Sequence, residues 1–484
     1  MAKYLIEDST LTAISDAIRS KTGSTEQINL SDIPNTIEEM SGGDVLNGII
    51  QSYMAETETI NANTFIEFAQ RMKNGEKPTI GNISTSISPH SSGRAASAVL
   101  LEENKVFIAY AETSSTYSIN AAICTIENSS ITVNTSGFTL VSGSEVCIWP
   151  DSVVACALTS NSVVVGYDYN SSGEYAYAIA CKIDGNTITK GNAVSVSTSS
   201  QSGARMSIER LNDAKAVMAY GSQAGVYAIV LSVSNSLSIS KGTKKAIKSS
   251  GNFPKARIVK LTDTTMLVCY NLFDGYFSNT CHCVVISISG TTISVGTVVD
   301  LGYGDLWDIL TINANKVCVL YGGLSASICT ISGTSINVVN TQNNFSLCPD
   351  STSTSPSRLR AIYFAESSLV YMCYGQTVTV NGSSIKKYYA LICSLSDDNI
   401  ITKAYEGEIY SDSNMGDTNV RLLKIDSDRL LVGISVGGLT CLYQFVSYIG
   451  TVEDVVRVAN TKIEGITKTA CTTTTPGEVW VLNA

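Results

Sequence analysis

The feature that most constrains the fold is an internal repeat. Seven short apolar segments follow one another along the chain, and six of them end in tyrosine, as in VFIAY, VVVGY and AVMAY. They end at positions 110, 167, 220, 270, 321, 374 and 434, so the mean step between neighbouring copies is (434 − 110)/6 = 54. A fixed period of this length indicates copies of one small structural unit.

Each copy has the same internal order. A first strand such as 205–211 precedes a short polar turn, and the tyrosine-ended strand follows it. A third strand has an apolar-x-apolar pattern, and a tight turn such as 184–186 leads to a fourth strand. Four short antiparallel strands per copy predict a β-propeller blade, because a copy this short cannot form the alternative, a β-sandwich. We therefore predict an all-β fold, a seven-bladed β-propeller over residues 79–448.

Closure of the ring has two candidates. Residues 79–88 resemble the fourth strand and interblade loop near 191–205 and have no blade of their own, so they are free to complete the seventh blade. Pairing the two ends of the ring would remove an open sheet edge. Residues 451–458 (TVEDVVRV) compete for the same place, and the sequence leaves both candidates open.

The composition restricts the partners. The formal net charge is −10, and no Lys/Arg run provides a phosphate-binding stripe, so nucleic acid is not an expected partner. No apolar run approaches the roughly 20 residues of a membrane-spanning helix, so membrane insertion is not expected. Glu7 and Asp8 occupy the place where a signal peptide needs an apolar core. We expect synthesis in the bacterial cytoplasm without a signal peptide, and no cofactor.

The 14 cysteines follow the repeat. Cys124, Cys181, Cys329 and Cys393 occupy equivalent positions, where other copies have leucine or isoleucine. Such a position indicates a small buried apolar residue rather than a disulfide. The cluster 281–283 (CHC) would place its cysteines on one side of a strand and its histidine on the other, so no metal site is predicted.

Aromatic residues gather in the long connections between the second and third strands and between blades. Loops on a rigid scaffold commonly bind ligands, and aromatic rings beside Asn, Asp and Ser suit sugars or protein surfaces. The alternative is that several of these rings only cap the core. The candidate ligand-binding residues are Tyr117, Trp149, Tyr169, Tyr175, Tyr276, Phe277, Tyr303, Trp307 and Tyr388.

Catalysis has little support in the sequence. Asp168, Asp274, Asp305 and Asp308 lie on the same side as these loops, and two of them could form a carboxylate pair for glycoside hydrolysis, but no spacing distinguishes them. There is no nucleophile elbow, phosphate-binding glycine loop or calcium-loop pattern. We therefore predict that the chain is not an enzyme, with catalytic residues and metal ligands both absent.

The two ends differ from the repeat. Residues 1–43 predict a small α-helical module of two short helices, which cannot form much of a core alone and therefore need a docking surface. Residues 44–78 predict a linker with a β-hairpin, and residues 449–484 a short β extension. The predicted attachment residues are Leu11, Ile14, Ile18, Ile33 and Ile37.

The end segments carry a resemblance to a known family. Residues 11–23 (LTAISDAIRSKTG) and 30–37 (LSDIPNTI) resemble the amino-terminal module of tail and baseplate-associated proteins from bacteriophages and prophages of Gram-positive hosts. Residues 462–469 (KIEGITKT) and 478–482 (EVWVL) are similar to a terminal module of the same proteins, although residues 471–476 (CTTTTP) depart from its usual glycine-containing turn. The matches cover about 60 of the 484 residues and supply no catalytic or receptor-binding residues.

The resemblance implies a virion structural protein with its propeller displayed on a tail fibre or baseplate, of a phage or a phage-tail-like particle. The expected partners are other tail or baseplate proteins, through the amino-terminal module, and a host cell-surface glycan or protein. A homo-oligomer is expected, with a trimer as its form. The alternatives are an enzyme that degrades surface polysaccharide and a structural spacer that binds no ligand.

Overall fold

The computed structural model divides the chain into two units, Lys77–Ile449 and a second unit of Met1–Glu76 with Gly450–Ala484. The described residues are 50–55, 60, 65–72, 79–80, 93–113, 117–127, 130–143, 152–169, 175–197, 206–222, 224–249, 255–273, 279–322, 325–342, 357–365, 368–380, 383–396, 398–412, 419–425, 430–436, 440–448, 452–458, 465–467 and 477–481.

Three strands precede the first blade: β1 (Ile50–Ala55), β2 (Phe65–Met72) and β3 (Thr79–Ile80). Six antiparallel blades follow, each formed by one continuous stretch of chain. Blade 1 comprises β4 (Gly93–Glu102), β5 (Lys105–Thr113), β6 (Tyr117–Glu127) and β7 (Ser130–Ser142). Blade 2 comprises β8 (Val153–Thr159), β9 (Ser162–Tyr169), β10 (Tyr175–Asp184), β11 (Thr187–Lys190) and β12 (Val194–Ser195). Blade 3 comprises β13 (Met206–Asn212), β14 (Lys215–Ser222), β15 (Gly225–Val233), β16 (Ile239–Lys241) and β17 (Lys245–Lys248).

The next three blades have the same strand order. Blade 4 comprises β18 (Ala256–Lys260), β19 (Thr265–Phe273), β20 (Asn279–Ser289), β21 (Thr292–Val295) and β22 (Val299–Tyr303). Blade 5 comprises β23 (Leu306–Asn313), β24 (Lys316–Tyr321), β25 (Ser325–Ser332) and β26 (Ser335–Gln342). Blade 6 comprises β27 (Ser357–Phe364), β28 (Leu369–Val380), β29 (Ser383–Leu395) and β30 (Ile401–Asp412).

A composite sheet closes the ring. It contains β31 (Asn419–Lys424), β32 (Leu430–Val436) and β33 (Thr440–Tyr448), and its fourth strand is β3, from before blade 1. The pairing of Thr79 with Tyr448 and of Ile80 with Val446 decides between the two closure candidates in favour of the segment that begins at residue 79. The first strand of each sheet contacts the first strand of the next, and β31 contacts β4. This closed arrangement is a β-propeller.

The hydrophobic core lies between neighbouring sheets. Phe107 of blade 1 packs in one cluster with Val165 and Tyr167 of blade 2, and Val106 packs on the other side of blade 1 with Leu431 of the composite sheet. The second strand of a blade is apolar at consecutive positions because it is covered on both faces, as in β14, where every residue after Lys215 is buried. This double burial is the physical basis of the repeated apolar segments.

The second unit is a closed five-stranded barrel. Its strands β34 (Val452–Val458), β35 (Gly465–Thr467) and β36 (Gly477–Val481) come after the ring, and β1 and β2 come before it. The order is β1-β34-β2-β35-β36, and β36 pairs back with β1. Strand β34 is the second closure candidate, and it pairs here with β1 and β2.

The predicted fold class is therefore corrected. Six blades, rather than seven equivalent ones, are formed by continuous chain, and the sheet that completes the ring is composite. The carboxy-terminal strands are not a separate extension, because they share a barrel with strands from before the ring. The described residues contain no helix, so none that could span a bilayer, and the module predicted at 1–43 lies outside them. The repeat could not show these features, because both depend on pairing between residues far apart in sequence.

Candidate functional site

The first strands of the propeller present one equivalent position each. This residue pairs with the one immediately before the tyrosine, or the corresponding isoleucine, at the end of the second strand. The pairs are Ser97 with Ala109, Val154 with Gly166, Ser207 with Ala219, Arg257 with Cys269, Asp308 with Leu320, Arg360 with Cys373, and Arg421 with Gly433. The shared register places these side chains at one level of the ring.

These residues line one cavity of about 280 Å³, here called the central cavity. Its lining is completed by Ala98, Ala361 and Leu422. The first strands begin on the face that carries the connections between blades and between second and third strands, here called the loop face. Since most of the lining residues lie within three positions of their strand's start, the central cavity lies toward that face.

The central cavity is positively charged in an acidic protein. Its lining contains three arginines and one aspartate, a formal charge of +3 − 1 = +2, whereas the whole chain has −10. Arg257 and Arg360 are only 8% and 7% exposed. Two guanidinium groups are thus held largely out of water, where electrostatic interactions are stronger than at the surface.

Hydrogen bonds to backbone carbonyls orient the arginines. Arg257 Nη1 donates to the carbonyl oxygen of Met206 at 3.4 Å, and Arg360 Nη1 donates to that of Trp307 at 3.0 Å. Both acceptors belong to the first strand of the preceding blade, so these two arginines also join neighbouring blades. Arg421 Nη1 donates to the carbonyl oxygen of the adjacent Val420 at 3.1 Å.

The serine and aspartate side chains at the same level also connect neighbouring blades. They accept hydrogen bonds from the following blade, whereas Arg257 and Arg360 donate to the preceding one. Ser97 Oγ accepts a hydrogen bond from the amide of Ala155 at 3.0 Å, and Ser207 Oγ accepts one from Ile258 at 3.3 Å. Asp308 Oδ2 accepts one from the amide of Ala361 at 3.0 Å. Hydrogen bonds between neighbouring blades therefore hold these lining side chains in place.

Two of the predicted aromatic residues are exposed on the loop face. Tyr303, at the end of β22 just before blade 5, is 67% exposed, and Tyr117, at the start of β6, is 38% exposed. Among the described residues, these are the two exposed aromatic side chains. Both residues lie at strand ends rather than in connections, and these ends are on the loop-face side of their sheets.

Three other predicted aromatics are packed into the propeller. Trp307 is half-buried, donates from Nε1 to the carbonyl oxygen of Gly322 at 2.6 Å, and has the Lys255 ammonium 5.2 Å from its ring centre. Tyr169 is half-buried and packs edge-on against Tyr177 at 5.6 Å. Tyr388 is fully buried. For these rings the core-capping alternative holds.

The position of Tyr388 corrects a loop assignment. The sequence places Tyr388 among the aromatics of the long connections between second and third strands, but β28 continues to Val380 and β29 begins at Ser383. The alternating Thr and Val residues at 377–380 favour an extended strand. Trp149, Tyr276 and Phe277 lie outside the described residues, as does the side chain of Tyr175, and so do the attachment residues Leu11, Ile14, Ile18, Ile33 and Ile37.

The acidic residues considered for catalysis lie in different surroundings. Asp168 is buried in β9, and Asp305 Oδ1 accepts hydrogen bonds from Asn271, at 3.1 Å, and from Asn279. Asp308 lines the central cavity, whereas Asp168 and Asp305 are not part of its lining. Asp274 lies outside the described residues.

The cysteines are core residues wherever they are described. Ten are free and buried, which confirms the interpretation made from the repeat. Burial raises the pKa of the Cys124 and Cys181 thiols to about 12. Cys281 and Cys283 share one core cluster, while His282 is half-buried and stacks on Tyr270 at 5.3 Å, so the three face as predicted. Within the described part, no group of three His, Cys, Asp or Glu residues is arranged to hold a metal ion.

The three arginines of the central cavity were not predicted from the sequence. The repeat did contain a signal for them. Arg257 and Arg421 each lie 13 residues before the last residue of the apolar segment that follows, at positions 270 and 434. Arg360 lies 14 residues before the corresponding residue, at position 374. Ser207 and Asp308 also have the offset of 13. Alignment of the copies by this offset would have collected the ring of lining residues.

Comparisons with known proteins find similar solved structures at low sequence identity. No family model and no curated protein matches the chain. The periplasmic gluconolactonase PpgL of Pseudomonas aeruginosa is similar over 70% of this chain and 95% of its own, with 10% identity and a TM-score of 0.43. A putative 6-phosphogluconolactonase of Bacteroides fragilis covers 70% and 93%, with 11% identity and a TM-score of 0.45. Sqt1 of Saccharomyces cerevisiae covers 84% and 100%, with 11% identity and a TM-score of 0.45. These likenesses carry no argument about what this chain does.

One prediction made from the sequence is corrected. The chain was predicted not to be an enzyme because no catalytic motif appears in it, yet two of the similar structures bear the names of gluconolactonases. A missing motif does not by itself exclude catalysis, so the prediction that the chain is not an enzyme is withdrawn.

Proposed function

We propose that this chain is a ligand-recognition protein of a phage tail or a phage-tail-like particle. Its propeller would present the loop face to a glycan or protein on the host surface. The amino-terminal module would attach it to other tail or baseplate proteins, and the assembled protein would be a homo-oligomer, with a trimer as the proposed form. The proposed context comes from the resemblance of residues 11–37 and 462–482, and the proposed surface comes from the propeller.

The observation that carries the recognition role is the exposure of Tyr303. A tyrosine side chain that is 67% exposed leaves most of its apolar area in water, so it contributes little to the core. Such a ring on a rigid scaffold binds sugars by stacking and anchors protein partners, at a small cost in side-chain entropy. Asp300 on the same strand is also exposed, and its carboxylate accepts a hydrogen bond from the Gly302 amide at 2.8 Å.

The direct test is binding of the full-length chain to bacterial cells and to a glycan array. We expect binding to a restricted set of hosts, and Tyr303→Ala should lower the affinity by about tenfold or more, the loss typical of an aromatic anchor. Tyr303→Phe, which retains the ring, should keep most of the affinity of a stacking contact. Val339→Ala removes an exposed apolar side chain from an outer strand of blade 5 and is the matched control.

Three results would contradict the proposal. Binding that is equally strong for Tyr303→Ala and the control would remove Tyr303 from the recognition surface. The lack of any cell or glycan binding would favour a spacer. Release of soluble fragments from surface polysaccharide, abolished by Asp308→Asn, would favour the polysaccharide-degrading enzyme.

The attachment role has a separate test. Deletion of residues 1–43 should leave cell binding by the propeller intact but prevent incorporation of the chain into particles, as measured by its presence in purified particles. Incorporation of the truncated chain at the normal level would contradict the attachment assignment.

A further inference from the structure

The central cavity has the chemistry of an anion site. Arginines at three positions of one ring level, in the first strands β18, β27 and β31, line the same cavity. Hydrogen bonds from Arg257 and Arg360 to backbone carbonyls of the preceding blades help to hold the two guanidinium groups in place. Because a planar guanidinium has five N–H donors, it can bind a backbone carbonyl and an anion at the same time.

The lining contains one acidic side chain, Asp308. Its carboxylate accepts hydrogen bonds from two backbone amides, Ala361 to Oδ2 at 3.0 Å and Ile309 to Oδ1 at 3.1 Å. The formal charge of the lining side chains is +2, from three arginines and one aspartate. Such a lining favours an oxyanion, which accepts charge-assisted hydrogen bonds from guanidinium groups.

The size of the space limits the ligand. At about 30 Å³ per water molecule, a volume of about 280 Å³ corresponds to roughly nine waters. This is room for an oxyanion attached to a body about as large as a single sugar ring. The short apolar part of the lining, Ala98, Ala361 and Leu422, offers contact for such a body.

We propose that the central cavity binds a small organic anion through a carboxylate or phosphate group held by Arg257, Arg360 and Arg421. This site is separate from the surface around Tyr303 and does not depend on the proposed recognition function. The arginines have a double role, since two of them also connect neighbouring blades.

The test is a calorimetric titration of the full-length chain with sodium phosphate and with D-glucuronate, which joins a carboxylate to a sugar ring. D-glucose is the neutral control. We expect saturable binding of both anions in the millimolar range or tighter, with one site per chain, and no binding of glucose. The affinity should be weaker at about 0.5 M NaCl than at about 0.05 M, because salt screens the attraction.

Arg421 is the position to change, because its described hydrogen bond is to the neighbouring residue of its own strand. Arg421→Gln should lower the anion affinity about tenfold or more, the effect of one charge-assisted hydrogen bond at about 1.4 kcal/mol per factor of ten. Arg421→Lys should retain part of it. Arg210→Gln is the matched control, since Arg210 is on first strand β13 but is exposed and forms an ion pair with Asp213 outside the cavity.

Unfolding curves without ligand establish that each variant is folded before it is titrated. A folded wild-type chain that binds neither anion would overturn the proposal. An Arg421→Gln variant that binds as tightly as the wild type would also overturn it, and so would an equal loss in Arg210→Gln, which would indicate attraction to overall charge. Binding of glucuronate at the end of an oligosaccharide, as well as in free form, would show that the source is a glycan end rather than only a free small molecule.

Discussion

Glu209 on the first strand of blade 3 makes the stability of the propeller depend on pH. It lies two residues after Ser207, on the same side of β13, and is half-buried. Burial raises the pKa of its carboxyl from 4.5 to about 7, although the Arg210 amide, 3.1 Å from Oε1, and the positive charges of Lys260 and Arg210 lower it in part. The carboxyl is therefore neutral in the folded protein at a pH where it is ionised in the unfolded chain.

The sign follows from proton binding. Between pH 4.5 and about 7, the folded state holds a proton that the unfolded state has lost, so stability falls as the pH rises. The rise in pKa is worth at most about 3 kcal/mol at about 1.36 kcal/mol per unit, and water contact with the half-buried side chain reduces this value. Glu209→Gln removes the ionisation. It should match the wild type near pH 4.5 and be the more stable protein above pH 7, by up to about 3 kcal/mol.

The measurement is urea unfolding of both proteins at several values between pH 4.5 and 8, followed by tryptophan fluorescence. Glu103→Gln, which changes an exposed glutamate in the turn after β4, controls for the loss of one negative charge from an acidic chain. Lys260→Met adds a second check, because removal of a positive charge near Glu209 should move the fall in stability to higher pH. A difference between Glu209→Gln and the wild type that stays constant over this pH range would refute the reasoning.

Two further predictions concern packing. Gly242→Ala should destabilise the protein by about 1–3 kcal/mol in urea unfolding, because a Cβ there would lie 2.4 Å from the carbonyl oxygen of Thr291 in blade 4. Gly185→Asn, at φ +56° with no atom within 4 Å of its Cβ, should change stability by less than about 0.5 kcal/mol, and an equal loss in both would contradict the crowding argument. At most four of the 14 thiols should react with Ellman's reagent in the native protein at pH 8, because ten are buried, and all 14 should react in urea. More than four reactive thiols in the native state would show that the core assignment is wrong.

The sequence predicts the parts of the fold that repeat locally. The tyrosine-ended segments are second strands because only a strand packed on both faces is apolar at consecutive positions, and Tyr110 and Tyr220 are accordingly buried. Cysteine, leucine and isoleucine exchange at one position because its surroundings, a tight interface between sheets, are the same in each copy. Local periodicity is enough for such inferences, since it reports burial directly.

The parts of the fold that depend on pairing between distant residues could not be predicted from the sequence. The barrel joins residues 50–72 to 452–481, and no local pattern indicates that β34 lies between β1 and β2. The sequence places Tyr303 on the loop face but misplaces Tyr388, because a polar stretch of Thr and Ser residues is compatible with either a loop or an extended strand pair. The central cavity was missed because its residues are contributed singly, one or two from each sheet, by strands that are far apart along the chain.

The shared register of the first strands explains why polar and charged side chains can occupy this level of the ring without disturbing the fold. The backbone of each first strand is held by its second strand, so the lining side chain contributes little to the sheet core and is free to be Ser, Val, Asp or Arg in different copies. At several of these positions the side chain also links neighbouring blades, since Ser97, Asp308 and Arg360 each hydrogen-bond to a neighbouring first strand. The charges are unevenly distributed as a result, with arginine at β18, β27 and β31 and no charged lining residue at β4, β8 or β13. A bound anion would therefore sit off the ring axis, toward blades 4 and 6 and the composite sheet. Val154→Arg, on the opposite side, should add charge there and strengthen anion binding less than Arg421→Gln weakens it.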